Sequence, residues 1–161
     1  MVRFESGLVA PEGESTMNGE SAERLFLMPL AELVDRLTID QIKDVKFVEG
    51  REAVHAEMQR IQHDIDLIVR EKAIKLDARI LRIVIALAQL NMHIWNNKDE
   101  MEALVESDRE GYLQKLKFAH QLNGVRNQLK NLLLVISGDK DAASIRSNFH
   151  TDGLTGWNLE I

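Results

Sequence analysis

Asn123, Arg126 and Lys130 are spaced i, i+3 and i+7, which on a helix stacks them in one row. Tyr112, Leu116 and Ala119 carry the same row back toward the helix start, and Asn127 and Asn131 flank it. The row lies roughly 110° from the centre of the apolar seam Phe118, Leu122, Val125, Leu129, Leu132 and Ile136, at the border of the face that packing must bury. An Arg and a Lys one turn apart at such a border can grip a phosphate or a carboxylate. Arg supplies a planar fork, Lys a point charge, and Asn123 a neutral donor. The same cations can instead pair with acids of the first helix, such as Asp35 or Asp40.

A second polar group stands out for its position. Asn91 falls within an otherwise apolar stripe, and a buried amide must find partners or cost a few kcal/mol. It fits either a register-setting role, as single Asn residues have in coiled coils, or a place facing Asn123 and Arg126. Other motifs are incomplete. Glu52-Ala53-Val54-His55 has the Glu-x-x-His form of di-iron bundles, but those need two copies and two further glutamates. Glu49-x-x-Glu52 begins the magnesium-binding pattern of all-α nucleotide pyrophosphohydrolases. Its second half is absent, since Asp64 and Asp66 face different sides and Asp99, Glu100 and Glu102 give only a degenerate version. No Gly-rich phosphate loop and no Gly-x-Ser-x-Gly elbow is present. The reading therefore expects no metal and no cofactor.

The elements that must position these residues are helices. Ile80 to Trp95 is the most apolar run and has no proline or glycine. Ile80, Ile83, Val84, Leu87, Leu90, Ile94 and Met101 follow helical spacing, while Leu81, Ile85, Ala88 and Met92 form a second stripe about 100° away. A helix apolar on that much of its circumference must be covered on two sides, which fits the central helix of a packed helical domain, either alone or with a subunit interface as well. This central helix is expected from an Asp77 cap to about Leu104, followed by a last long helix from a capping box at Ser107 to Ile136. Ser137-Gly138 ends that helix. Upstream, Val54, Met58, Ile61, Ile65 and Ile68 mark a helix over about 51–75, and Pro29 opens one that Thr38-Ile39-Asp40-Gln41 breaks and restarts. The expected architecture is all-α: an antiparallel up-and-down bundle of about four helices over 28–138. An extended or partly disordered arm with a short strand near 3–9 precedes it over 1–27. A short helix near 141–147 and an irregular tail complete 139–161, with Trp157 as a packing anchor.

Composition narrows the function classes. The 161 residues contain no cysteine, which excludes disulfides, thiol catalysis and Cys-ligated metals. A net charge of −6 argues against nucleic acid as a bulk electrostatic partner. No apolar segment has the length of a signal core or a membrane span, since Arg82, Gln89, Asn91 and His93 interrupt the central helix. A cytoplasmic protein without membrane association is expected.

Four segments resemble a family of small bacterial and phage helical proteins, a domain of unknown function. They are Ala31 to Lys43, Leu90 to Glu100, Asn123-x-x-Arg126-x-x-x-Lys130 and the turn at Ser137-Gly138. Lys98 stands where that family carries an acid, and the tail does not match. The resemblance implies an all-α protein, no known activity, and one shared polar cluster of Asp35, Arg36, Lys43, Trp95, Asp99, Asn123, Arg126 and Lys130. Two functions follow as expectations. One is an interaction or scaffold protein, homodimeric through Leu81, Ile85, Ala88 and Met92. The other is a binding module or enzyme for an anionic small molecule, a phosphorylated metabolite such as a nucleotide or sugar nucleotide. There Arg126 and Lys130 would take the anion, Asn123 and Asp35 the polar remainder, and Trp95 would cover the ligand, with Lys43, Asn91 and Asp99 nearby.

Overall fold

A computed structural model describes residues 27–139, 151–157, 159 and 161. It is all-α, with four helices: α1 (Leu30–Lys46), α2 (Arg51–Glu71), α3 (Ala78–Leu104) and α4 (Arg109–Ile136). The arm expected over most of 1–27 and the short helix expected near 141–147 lie outside the described residues. The described part of the tail is irregular.

The caps fix most boundaries. The Asp77 carboxylate accepts from the Ile80 N–H at 3.0 Å and starts α3; Asp108 does the same for Gly111 at 3.0 Å and starts α4. The expected cap was Ser107, but its hydroxyl donates back to the Ala103 carbonyl at 3.3 Å, so the start shifts by one residue. Gly111 leaves room for that cap, because a Cβ there would push against the Asp108 carboxylate and displace it. Pro29 gives α1 no side-chain cap. Asp139, just past α4, holds Lys72 and the Ser137 hydroxyl, and the Leu30 backbone N–H at the start of α1 helps keep its carboxyl below the ordinary value.

The expected break at Thr38 does not occur. Its hydroxyl donates to the Asp35 carbonyl at 2.7 Å, inside a continuous helix, and is covered by α3. A back-bonded threonine is tolerated mid-helix when its face is buried, and here the packing overrides the capping-box pattern.

The chain alternates direction, but the bundle is not a closed ring. Asn91 meets Asp35 and Thr38 while, further along both helices, Lys46 meets Asn96 and Asp99; α1 and α3 therefore run parallel. Pairs of Arg126 with Asp35 and Lys130 with Glu32 make α4 antiparallel to α1. The most extensive contact is α3 with α4; α1 touches all three other helices, and α2 approaches α1 alone. The core is thus an α1–α3–α4 triangle around Ile83, Leu87, Leu90, Leu122, Leu133 and Leu134, all essentially inaccessible. The expected core seam of α2 is only half realised, since Ile61 alone on that helix is fully buried. The tail lies back on the core: the Gln121 amide donates to the Asp152 carbonyl at 2.6 Å, and Trp157 packs edge-on against His93. No helix among the described residues is long and apolar enough to cross a membrane.

Candidate functional site

The row on α4 meets a matching row on α1. Glu32, Asp35 and Thr38 recur every third residue and face α4 and α3. Arg126 grips Asp35 with both edges of its fork, Nε to Oδ1 at 2.8 Å and Nη2 to Oδ2 at 2.5 Å. Lys130 Nζ donates to Glu32 Oε2 at 2.7 Å and lies 3.2 Å from Asp35 Oδ2. The Asn91 amide donates to Asp35 Oδ1 at 2.9 Å and to the Thr38 hydroxyl at 2.8 Å. Asn123 completes the set, accepting from Arg126 Nη1 at 3.3 Å and donating to the Ala119 carbonyl. Two cations and two carboxylates balance, and the side chains of Asp35 and Lys130 are 4% and 5% exposed. Burial acts to raise the Asp35 pKa. The hydrogen bonds and charge of Arg126, the Asn91 amide and the Lys130 charge outweigh it and hold the carboxyl below its ordinary value. Chemically this is a closed network, with Arg126 Nε and Nη2 and Lys130 Nζ directed at protein carboxylates and Arg126 Nη1 at the Asn123 amide oxygen.

The single cluster that the resemblance implies divides into separate groups. Arg36 points away from the network to Glu57 of α2 at 2.5 Å, and Lys43 pairs with Asp40 at 2.7 Å. Trp95 and Asp99 lie near the other end of α1, where Lys46 reaches Asn96 at 2.9 Å and Asp99 at 3.3 Å. Lys46 also sits 5.9 Å from the Trp95 ring, and Phe47 packs edge-on against that ring. The two groups are about three turns apart along α1, from Asp35 to Lys46, and between one and two turns apart along α3, from Asn91 to Asn96. Trp95 has Lys46 and Phe47 as its ring neighbours rather than Arg126.

Residue types alone did not single out Glu32 and Thr38 as network members, or Lys46 and Phe47 as neighbours of Trp95. The three-residue spacing of Glu32, Asp35 and Thr38 was a usable signal, because it repeats that of Asn123 and Arg126. Two buried acceptors, Asp40 Oδ2 and Asn97 Oδ1, have no protein partner. Among the described residues no three His, Asp or Glu side chains converge in a way that could hold a metal ion.

A different feature lies on the neighbouring face of α3, about 80° round the helix from Asn91. Leu81 and Ile85 are 58% and 57% exposed, Ala88 is exposed, and Met92 and Trp95 are half-buried. Beside them an apolar groove of about 320 Å³ runs between α1 and α3, lined by Leu37, Ile42, Val45, Ala88 and Met92 together with Gln41 and Thr38, the latter shared with the polar network. None of these side chains is charged, in a chain with 46 charged residues formed by 20 Lys and Arg and 26 Asp and Glu.

Among the described residues these features define an all-α arrangement of four helices with a mutually paired polar centre and an uncharged apolar face on α3. Comparison of the chain with models of known families, with characterised proteins and with solved structures gives no match.

Proposed function

We propose that this chain is a cytoplasmic interaction or scaffold protein that acts as a homodimer through the second stripe of α3. The observation that carries the reading is the exposed, charge-free face formed by Leu81, Ile85, Ala88 and Met92 with the groove beside them. Depletion of charge marks the centre of a protein interface, and large apolar side chains left exposed together on one helix face suit a recognition surface. Each of the four large stripe side chains, Leu81, Ile85, Met92 and Trp95, is already partly covered, so its further burial contributes about 1 kcal/mol. Two copies supply on the order of 8 kcal/mol against an association cost of about 4–15 kcal/mol. The dimer is therefore concentration-dependent rather than obligate.

The other reading places a phosphorylated metabolite at Asn123, Arg126 and Lys130. Such a ligand would have to displace Asp35 and Glu32 from both cations and leave those carboxylates desolvated. No observation on the molecule favours that exchange.

Sedimentation equilibrium over a range from about 10 μM to about 2 mM tests the proposal, a span that reaches the millimolar constant corresponding to a net gain of about 4 kcal/mol. A dimer that Ile85→Glu converts to monomer, with unchanged helical circular dichroism, supports it. A monomer throughout that range overturns it.

A further inference from the structure

The C-terminal tail bridges two helices. The Trp157 ring packs edge-on against His93 of α3, with centroids 4.9 Å apart, while the Asp152 carbonyl accepts from the Gln121 amide of α4 at 2.6 Å. Leu154, Trp157 and Ile161 rest against the core and stay half-buried, whereas Leu159 is 43% exposed. The segment therefore lies on the α3–α4 seam as an irregular chain, with apolar anchors three and four residues apart and exposed residues between them.

Its shape comes from its own sequence rather than from the helices beneath it. The Leu154 N–H donates to the Thr151 carbonyl at 3.0 Å, and Gly153 in that turn has φ +77°, which its missing Cβ allows. A segment that closes its own turn has less freedom to lose on docking. The seat, for its part, suits a peptide. Gln121 is only 9% exposed, yet it directs its amide at a main-chain carbonyl, a group that every peptide offers. Main-chain hydrogen bonds of this kind give general affinity, and seats for spaced side chains give specificity. Trp is also the residue type most enriched among the anchors of protein interfaces.

We propose that the α3–α4 seam is a recognition groove for a peptide segment of a partner protein, and that the chain's own tail is its resident ligand. The partner segment presents an aliphatic anchor, an aromatic one three residues on and a second aliphatic one four further, as Leu154, Trp157 and Ile161 do. It offers Gln121 a main-chain carbonyl in place of that of Asp152. The seam shares no residue with the Leu81–Met92 stripe, so the proposal stands whether or not the chain dimerises through that stripe.

The tether makes the tail a competitor for its own seat. Held by half-covered anchors, the free segment has a dissociation constant on the order of 100 μM. The connection from Asp139 to His150 keeps it at an effective concentration of about 1 mM. The seat is then about nine-tenths filled by the tail, and an added peptide binds about tenfold more weakly than it would to a vacated seat.

The test is a fluorescence anisotropy titration of a labelled peptide of residues 151–161 with the full native chain, and with the full chain carrying Leu154→Ala and Trp157→Ala. The proposal expects the variant to bind the peptide about tenfold more tightly than the native chain does. It expects a peptide with the same two anchors replaced by alanine to bind neither chain, and Gln121→Leu added to the variant to weaken binding several-fold. Equal binding by the two chains, or none by the variant up to about 2 mM, overturns the proposal. Loss of helical circular dichroism in the variant overturns it too, since a tail that the helices need is core and not ligand. A variant that sediments as a monomer where the native chain dimerises places a second copy's tail in the seat and overturns the resident arrangement.

Discussion

Asp35→Asn is the most informative single change, because it keeps the side-chain shape while removing the charge on which the network closes. Asp35 takes two hydrogen bonds from Arg126 and one from Asn91, with Lys130 Nζ at 3.2 Å. An amide in its place turns a donor toward the cations and leaves Lys130, 5% exposed, with Glu32 as its remaining carboxylate among the pairs described here. Removing one partner of a buried pair costs about 3–5 kcal/mol, which for a chain of this size lowers the melting temperature by about 10–15 °C. Arg126→Met should cost less, about 2–3 kcal/mol, because Asn91 and Lys130 still serve Asp35 and Arg126 is 23% exposed. The double variant should fall short of the sum by about 1.5 kcal/mol or more, since its two changes remove the same contact. Urea unfolding followed by circular dichroism, with equal slopes for all four chains, measures each quantity. A loss under about 1 kcal/mol for Asp35→Asn, or additive singles, would refute the closed network and describe instead a solvated cleft with its cations open to a ligand.

Two further outcomes follow from other parts of the molecule. The Asp35, Asp44, Glu57 and Asp139 carboxyls are all held below their ordinary values by their partners in the fold, so the folded state binds fewer protons than the unfolded one. Their contribution is complete above the ordinary values of 3.8 and 4.5 and disappears as pH falls through the lowered ones. The urea midpoint should therefore hold from pH 7 to about 5 and fall below about 4.5, less steeply in Asp35→Asn; a midpoint that rises on acidification contradicts the pairing. Gly50 adopts φ +76° with open space around it, so Gly50→Ala is strained in its backbone alone and should destabilise by about 1–2 kcal/mol; an unchanged urea midpoint would show that this turn relaxes freely.

The sequence carried α3 and α4 almost to the residue, because Asp77 caps the one, the Ser107 box lies one residue from the cap of the other, and both have an unbroken 3.6-residue pattern. The cations of the polar centre were also legible by type, since Arg and Lys at a half-buried border need acids, and Asp35 was among the candidates. Depth was not legible. The 4-and-3 spacing from Val54 to Ile68 shows that α2 has an apolar side, but only tertiary packing shows that one helix alone covers it. Thr38-Ile39-Asp40-Gln41 has the residues of a helix start, yet burial against α3 gave Thr38 a different partner. The grouping of Trp95 and Asp99 with Arg126 failed for a geometric reason. Residues that recur together along a chain can be held at different levels of a parallel helix pair.

That parallel pair has a topological consequence for α2. Two neighbouring helices pointing the same way require a return path of about 25 Å, the length of the 17-residue α1. Since α2 stays outside the core triangle, it behaves as that return path, a strut that brings the chain back to where α3 begins. Its span is fixed by the distance to be covered, while its outward surface is set by nothing inside the core. Of the four helices, it is the one whose exposed face could be rewritten or extended by insertion with the central packing left intact.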